Sequence, residues 1–330
     1  MRVLIALGGN AMTGPDGSAT PQAQRDAIAT AMDHVASVVA AGHEVVVTHG
    51  NGPQVGNLLV KNELAAHVVP PVPLDWCGAQ TQGTIGFTAL DTLEAAFAVR
   101  GLDRRAAAVV TRTLVDPLDP GFTTPTKPVG RFLPHEQALP LIEHGETWQD
   151  RGDKGWRRMV ASPEPLEVLD THTVLTLLAA GYVVVAAGGG GIPVVRQADG
   201  SVQGVEAVVD KDLTAAVLAQ AVGADALVIA TDVAHAVVGF GSESARPLGR
   251  VPLEEMEAYA ADGEFASGSM GPKVEAALRF VRCGGRRSVI TALDRIADAV
   301  EGEVGTVIES ATATTTSTAT PTTTATPTGR

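Results

Sequence analysis

Three short apolar runs, at residues 3–7, 45–48 and 183–187, each break directly into glycine, as Gly8-Gly9-Asn10, His49-Gly50-Asn51-Gly52 and Gly188-Gly189-Gly190-Gly191. Continuous apolar runs of this length are the pattern of strands buried on both faces, which belong to parallel sheets covered by helices. Glycine at the end of such a strand lets a ligand reach backbone N–H groups that a Cβ would shield. Each turn reads as an anion cradle, and three of them imply that more than one anionic group is held. Lysines in glycine-, proline- or aspartate-rich settings accompany the turns, at Thr126-Lys127-Pro128, Asp210-Lys211-Asp212 and Gly271-Pro272-Lys273. The combination points to phosphoryl transfer, in which fixed cations and N–H donors matter more than covalent chemistry.

The composition agrees. A chain of 330 residues that is 45% hydrophobic can bury a full core, and with aromatics at only 4% that core is built from Val, Leu, Ile and Ala, as in an α/β protein. Net charge is −13 with acidic residues scattered and no lysine/arginine block, which excludes the electrostatic footprint of a nucleic-acid or anionic-membrane partner. Cys77 and Cys283 are too few for a disulfide framework. The apolar stretch before Gly8 is too short for a signal peptide and no run has transmembrane length, so the expected location is the cytoplasm.

Along the chain, a strand at 3–7 leads to a helix at 21–41, with Thr20 as N-cap, Pro21 at the first helical position and Gly42 past its end, and then to a strand at 44–48. This order favours a parallel pair. Helices are expected at 54–65 and 79–100, with a strand at 106–111. From about 113 to 165, eight prolines and two of the three tryptophans, Trp148 and Trp156, mark an excursion from the sheet made of hairpins and short helices. Alternation resumes with a helix at 169–180, a strand at 182–187, a hairpin around Asp199-Gly200 and a helix at 213–222. Strands at 226–230, 236–240, 287–291 and 306–308 and helices at 253–261 and 272–283 complete the second half. From Ala311 the chain is Thr, Ala, Ser and Pro almost to its end, a composition expected to be disordered.

Several chemistries are absent from the sequence. It has no Walker-type loop, no Gly-x-Gly-x-x-Gly opening a first helix and no protein-kinase motif set. No Cys/His cluster has zinc-ligand spacing, Ser162, Ser269 and Cys77 lie in no nucleophile motif, and His49 at a strand end reads as a structural residue. The lysines remain. Lys211 lies between two aspartates that can hold its ammonium, and Asp212 can orient a second lysine; equally, Asp-Lys-Asp fits a turn with Asp212 as N-cap. Lys127 fits either a site or an open surface. Lys273 falls in the first turn of a helix, where a cation opposes the helix dipole unless an anion is bound nearby.

Taken in order, these segments resemble the carbamate kinases of the amino acid kinase superfamily. The resemblance runs through Ala6-Leu7-Gly8-Gly9-Asn10-Ala11, Thr48 to Gly56, Cys77 to Gly83, Pro125 to Gly130, Trp156-Arg157-Arg158, Ala187 to Pro193, Glu206 to Asp212, and Gly268 to Lys273. It implies a three-layer α/β/α sandwich around a mainly parallel sheet, spanning about 1–310, with a protruding subdomain at about 113–165. The part up to about 180 would hold carbamate or carbamoyl phosphate, and 181–310 the nucleotide. It implies Lys127, Lys211, Asp212 and Lys273 as catalytic residues, with Gly8, Gly9, Asn10, Gly50, Asn51 and Gly52 binding the carbamoyl end. Lys211, Thr231, Asp232, Val233, Met270 and Lys273 would contact nucleotide. ATP or ADP, Mg2+ carried mainly on nucleotide phosphates with no protein metal ligands, and a homodimer complete the implied picture. A related superfamily kinase acting on another acid, such as N-acetylglutamate, and an inactive nucleotide sensor on the same fold are the alternatives. The chain departs from the pattern after Thr231-Asp232-Val233, where Ala234-His235-Ala236 stands in place of an acidic residue followed by an aromatic one, and at Leu133 and Ala161.

Overall fold

The computed structural model describes residues 1–14, 17–18, 20–265 and 269–310. The expectation for the tail from Ala311 lies outside the described residues, as does Gly268. Eight strands form the central sheet in the order Arg250–Pro252, Thr306–Glu309, Arg287–Ala292, Ala226–Thr231, Arg2–Leu7, Glu44–His49, Tyr182–Val185 and Arg105–Ala108. Every neighbouring pair is parallel except Arg287–Ala292 with Thr306–Glu309.

Side-chain alternation divides the sheet into two cores. Leu4, Ala6, Val46, Val184, Leu227, Ile229 and Ile290 face one way, onto helices α5 (Thr171–Ala179), α6 (Lys211–Ala221) and α8 (Met270–Arg282) through Val174, Leu178, Leu218, Val274 and Phe280. Val3, Ile5, Leu7, Val45, Val47, Val185, Val228 and Val289 face the other way. There they meet α1 (Pro21–Ala40), α3 (Leu74–Val99) and α9 (Ile296–Glu301) through Met32, Val35, Ile85, Leu93, Phe97 and Ile296. A fully apolar strand such as Val3–Leu7 satisfies both faces at once, which is why it reads as a continuous run rather than an alternating one. The result is the expected three-layer sandwich.

Local signals place most elements. The Thr20 hydroxyl accepts from the Ala23 amide at 3.3 Å and caps α1, which starts on Pro21. Helix α3 begins five residues before its expected start, because Leu74 N donates to the Glu206 carboxylate at 2.9 Å, a cap supplied from elsewhere in the chain. The expected strand at 106–111 divides into Arg105–Ala108 in the central sheet and Arg112–Leu114 in a four-stranded sheet with Val202–Gly204, Ile192–Arg196 and Glu167–Val168. Between the pieces, the buried Gln82 amide accepts from Thr111 N at 2.8 Å and donates to Thr111 O at 3.1 Å, taking the place of a strand neighbour. The strand expected at 236–240 shrinks to Val237–Val238.

The proline-rich stretch is a small antiparallel sheet of Lys127–Leu133, Trp156–Val160 and Thr147–Asp150 with the short helix α4 (His135–Glu143), and Leu133, Ala138 and Trp148 form its own core. It leans on α2 (Gly52–Ala65) through Val129 and Val160 against Val55 and Leu59.

The glycine turns differ from the expectation of three equivalent cradles. Gly8 N donates to Ala230 O at 2.8 Å and Gly50 N to Leu7 O at 3.0 Å, so both amides continue the sheet rather than face a ligand. The turn at Gly188–Gly190 packs on protein: a Cβ on Gly188 would overlap the His49 ring, and one on Gly189 the Asn51 amide. Glycine is also required at Gly50, where a Cβ would lie 2.8 Å from Gly9 Cα and 2.9 Å from Gly9 N. Both obstacles are backbone and cannot swing away. Gly50→Ala is therefore expected to destabilise the fold by about 1–3 kcal/mol, the usual cost of overpacking. Denaturant unfolding of parent and variant measures the difference.

Candidate active site

The parallel strands point their carboxyl ends toward one edge, and three adjoining cavities lie along it. The first, of about 510 Å³, lies between the sandwich and the small sheet and is lined by Gly9, Gly50, Asn51, Gly52, Val55, Val129, Arg157, Val208 and Lys211 among others. The second, of about 940 Å³, lies over the ends of Arg2–Leu7 and Ala226–Thr231 and is lined by Gly8, Gly9, Asp210, Lys211, Asp212, Thr231, Asp232, Ser269 and Lys273 among others. Gly9, Lys127, Pro128 and Lys211 border both. The third, of about 260 Å³, shares Thr231, Asp232 and Ser269 with the second and adds Val233, His235, Phe240, Glu264, Phe265 and Met270. The three form one tract with the lysines at its middle.

At that middle a single carboxylate holds two ammonium groups. Asp212 Oδ1 accepts from Lys211 Nζ at 2.5 Å and Asp212 Oδ2 from Lys273 Nζ at 3.0 Å, with Asp212 and Lys273 both buried. Lys211 and Asp212 start α6 and Lys273 lies in the first turn of α8, so the packing of these two helices sets the spacing. Burial pushes the Asp212 carboxyl up, but the charges and hydrogen bonds of the two lysines outweigh it and hold the group below its ordinary value. Burial pulls Lys211 down, and the Lys273 charge adds to the effect against the pull of Asp212. Lys127 reaches from the small sheet to Asp210 Oδ2 at 2.7 Å.

Asp210, rather than Asp212, is the N-cap of α6: its Oδ1 accepts from Asp212 N at 2.9 Å and Leu213 N at 3.3 Å. Of the two aspartates that flank Lys211, Asp212 holds its ammonium directly, whereas Asp210 bonds Lys127 and the helix end and favours the charged Lys211 only through its own charge. These five side chains leave one net positive charge, and that charge lies where the N-termini of α6 and α8 converge.

The binding and catalytic residues that the resemblance implies border the tract wherever their side chains are described. Asp212 and Lys273 line the second cavity, Lys127 and Lys211 the first and second, and Val233 and Met270 the third. Asn10 lies in the short helix Gly9–Met12, but its side chain is outside the described residues. Cys77 is buried beneath α2, away from the cavities, and His49 is buried with its Nδ1 donating to Gly50 O at 3.0 Å. Sequence reasoning passed over Arg157 as a lining group, although Trp156-Arg157-Arg158 is part of the resemblance. Its guanidinium lies 4.8 Å from the Phe132 ring centre and its Nε is buried without a partner among the described residues.

A model of the amino acid kinase family matches residues 1–292. The chain belongs to the amino acid kinase family. Among its members it is 41% identical over 310 residues to the carbamate kinase of Pyrococcus horikoshii, covering 93% of this chain and 98% of that one. It is 42% identical over 311 residues to the carbamate kinase of Trichomonas vaginalis, covering 93% and 99%. A solved carbamate kinase from Giardia lamblia bound to AMP-PNP superposes with a TM-score of 0.88 at 40% identity, covering 94% of this chain and 98% of that one.

In this member of the family, His49 underlies the site and titrates far from its ordinary range. Burial, partly offset by its bond to Gly50 and reinforced by the Lys211 charge, lowers its pKa from 6.5 to about 4. A base whose pKa is depressed on folding takes up its proton in the unfolded chain first, so stability falls as pH drops from about 6.5 toward about 4. The full effect amounts to about 3 kcal/mol. Denaturant unfolding across that pH window is expected to show the fall in the parent and to lose it in His49→Asn.

Proposed function

We propose that the protein is a carbamate kinase, transferring a phosphoryl group reversibly between ATP and carbamate to give ADP and carbamoyl phosphate. The observation that carries this reading is the buried Asp212 carboxylate with Lys211 on one oxygen and Lys273 on the other, on the wall of the middle cavity. A migrating phosphoryl group spreads negative charge over its equatorial oxygens, and cations fixed before it arrives lower the barrier without reorganising. The carbamate kinases of other organisms and the AMP-PNP bound to the Giardia enzyme supply the substrate class.

In this reading the part of the chain up to about 180 holds carbamate in the first cavity, near Gly9, Gly50, Asn51 and Gly52, and the part from about 181 holds the nucleotide. Its phosphates lie in the second cavity and its base in the third, against Thr231, Asp232, Val233 and Met270. Gly8, Gly9 and Asn10 lie at the transfer point, and Lys127 closes over it from the small sheet. Carbamate is already an oxyanion, so its oxygen attacks phosphorus without a general base while the bond to the ADP oxygen breaks. A neutral His49 beneath the site is consistent with that chemistry.

Magnesium belongs to the same reading, as a counter-charge on the nucleotide phosphates. The described residues contain no group of three potential ligands, and Asp212 already binds two lysines, so the donor set suits an ion that arrives with the nucleotide. We place the protein in the cytoplasm as a homodimer; no helix among the described residues is long and apolar enough to cross a membrane. Exposed Trp76 and Phe87 on α3 supply apolar surface for self-association.

Incubation with ADP, magnesium and carbamoyl phosphate is expected to form ATP, detected by a coupled assay, and no ATP would refute the reading. Lys211→Met is expected to lower kcat by a factor on the order of 10²–10³, as loss of one preorganised donor does elsewhere, while unfolding stability changes far less. Asp212→Asn is expected to cost both activity and about 3–5 kcal/mol of stability, because two buried ammonium groups lose their shared partner.

A further inference from the structure

His235 occupies the third cavity where the carbamate kinase pattern carries a different residue pair. Its ring is oriented by the protein. Nδ1 lies 3.0 Å from the carbonyl oxygen of Leu248, which can only accept, so Nδ1 carries the hydrogen. That carbonyl is held in turn: it also accepts from the buried Thr306 hydroxyl at 2.6 Å, and the same hydroxyl accepts from Ala236 N at 2.9 Å. Leu248 N closes the knot by donating to Ala236 O at 2.8 Å. With Nδ1–H fixed, neutral imidazole has a lone pair at Nε2, and no group among the described residues donates to it. Half-buried beside Val233, Phe265 and Met270, the ring places a hydrogen-bond acceptor in a recess of mixed apolar and polar lining.

We propose that His235 reads the 6-position of the purine, accepting a hydrogen bond from a 6-amino group through Nε2 and opposing a 6-oxo group with its lone pair. This rests on the reading of the third cavity as the base site. Adenine presents a donor at that position and hypoxanthine or guanine an acceptor, so a fixed acceptor separates them by attraction to one and repulsion of the other. Asp232 and Glu264 are the carboxylates lining the cavity, beside the Thr231 and Ser269 hydroxyls, and Glu264 already accepts from Gly239 N at 2.6 Å.

The test compares ADP, purine riboside diphosphate and IDP, which carry an amino group, hydrogen and an oxo group at the 6-position, in the ATP-forming assay with carbamoyl phosphate and magnesium. In the parent protein kcat/KM is expected to fall in that order, with ADP about tenfold to a hundredfold better than IDP, the usual result of leaving a buried polar group unmatched. His235→Phe keeps a planar ring without the acceptor, and is expected to collapse the ADP:IDP ratio toward unity. Equal use of ADP and IDP by the parent, or an unchanged ratio in a folded His235→Phe, would overturn the proposal, the latter assigning discrimination to the carboxylates. The parent series needs no variant, so it decides even where His235→Phe does not fold. Should the parent form no product, the carbamate kinase reading fails separately, and calorimetric binding of ADP against IDP still decides the base inference by the same ratio.

Discussion

The site depends on one buried carboxylate. Alone, Asp212 in the interior would cost several kcal/mol in lost hydration, and neither Lys211 nor Lys273 would be stable beside the other without it. Together they form a triad in which each oxygen has one ammonium and one unit of positive charge is left over. Both lysines also lie at helix N-termini, where the dipole disfavours cations. The arrangement is under electrostatic tension that an arriving anion relieves. Binding of a phosphoryl group and stability of the empty site are therefore opposed, and Asp212 sets the balance between them.

The fold supplies the place for that tension. Arg2–Leu7 is the pivot of the sheet, since the chain adds Glu44–His49 on one side of it and later Ala226–Thr231 on the other. Where connections leave a central strand in opposite directions, the helices that follow diverge and leave a crevice at the carboxyl ends. Gly8 and Thr231 end the two strands bordering that crevice, and α6 and α8 approach it by their N-termini. Two further features narrow the gap. Gly50 lets its backbone come against Gly9, and Lys127 ties the small sheet to the N-cap of α6 through Asp210.

Much of this was legible in the sequence because it was local. Continuous apolar runs declared strands buried on two faces, Thr20-Pro21 declared a helix start, and lysines beside aspartate or proline were the charged groups that recur at the tract. What stayed hidden was decided by distant partners. The sequence offered Asp212 as the N-cap, and only the positions of Lys127 and Lys273 assign the cap to Asp210 and the ammonium pair to Asp212. The break in the strand at 106–111 comes from Gln82, and the early start of α3 from Glu206. The glycines at 188–191 looked like a third ligand cradle because bare backbone has the same sequence signature whether a phosphate or a side chain fills the space. Here His49 and Asn51 fill the space over Gly188 and Gly189, while Gly189 and Gly191 still border the first cavity.

The same turn shows how the site is layered. The turn at Gly188–Gly190 is a floor: it presses the His49 ring and the Asn51 amide into fixed places, and Asn51 Nδ2 in turn donates to Thr81 Oγ1 at 2.8 Å on α3. Gln82, one residue on, joins Gly188 O and Thr111 to the same helix. A ligand in the first cavity thus rests on a backbone turn whose position is set by buried polar groups with defined partners rather than by apolar contacts that can slide. The small sheet is tied by other means: Val129 and Val160 pack on α2, Arg131 pairs with Glu63 at 2.9 Å, and Lys127 pairs with Asp210 at the N-cap of α6.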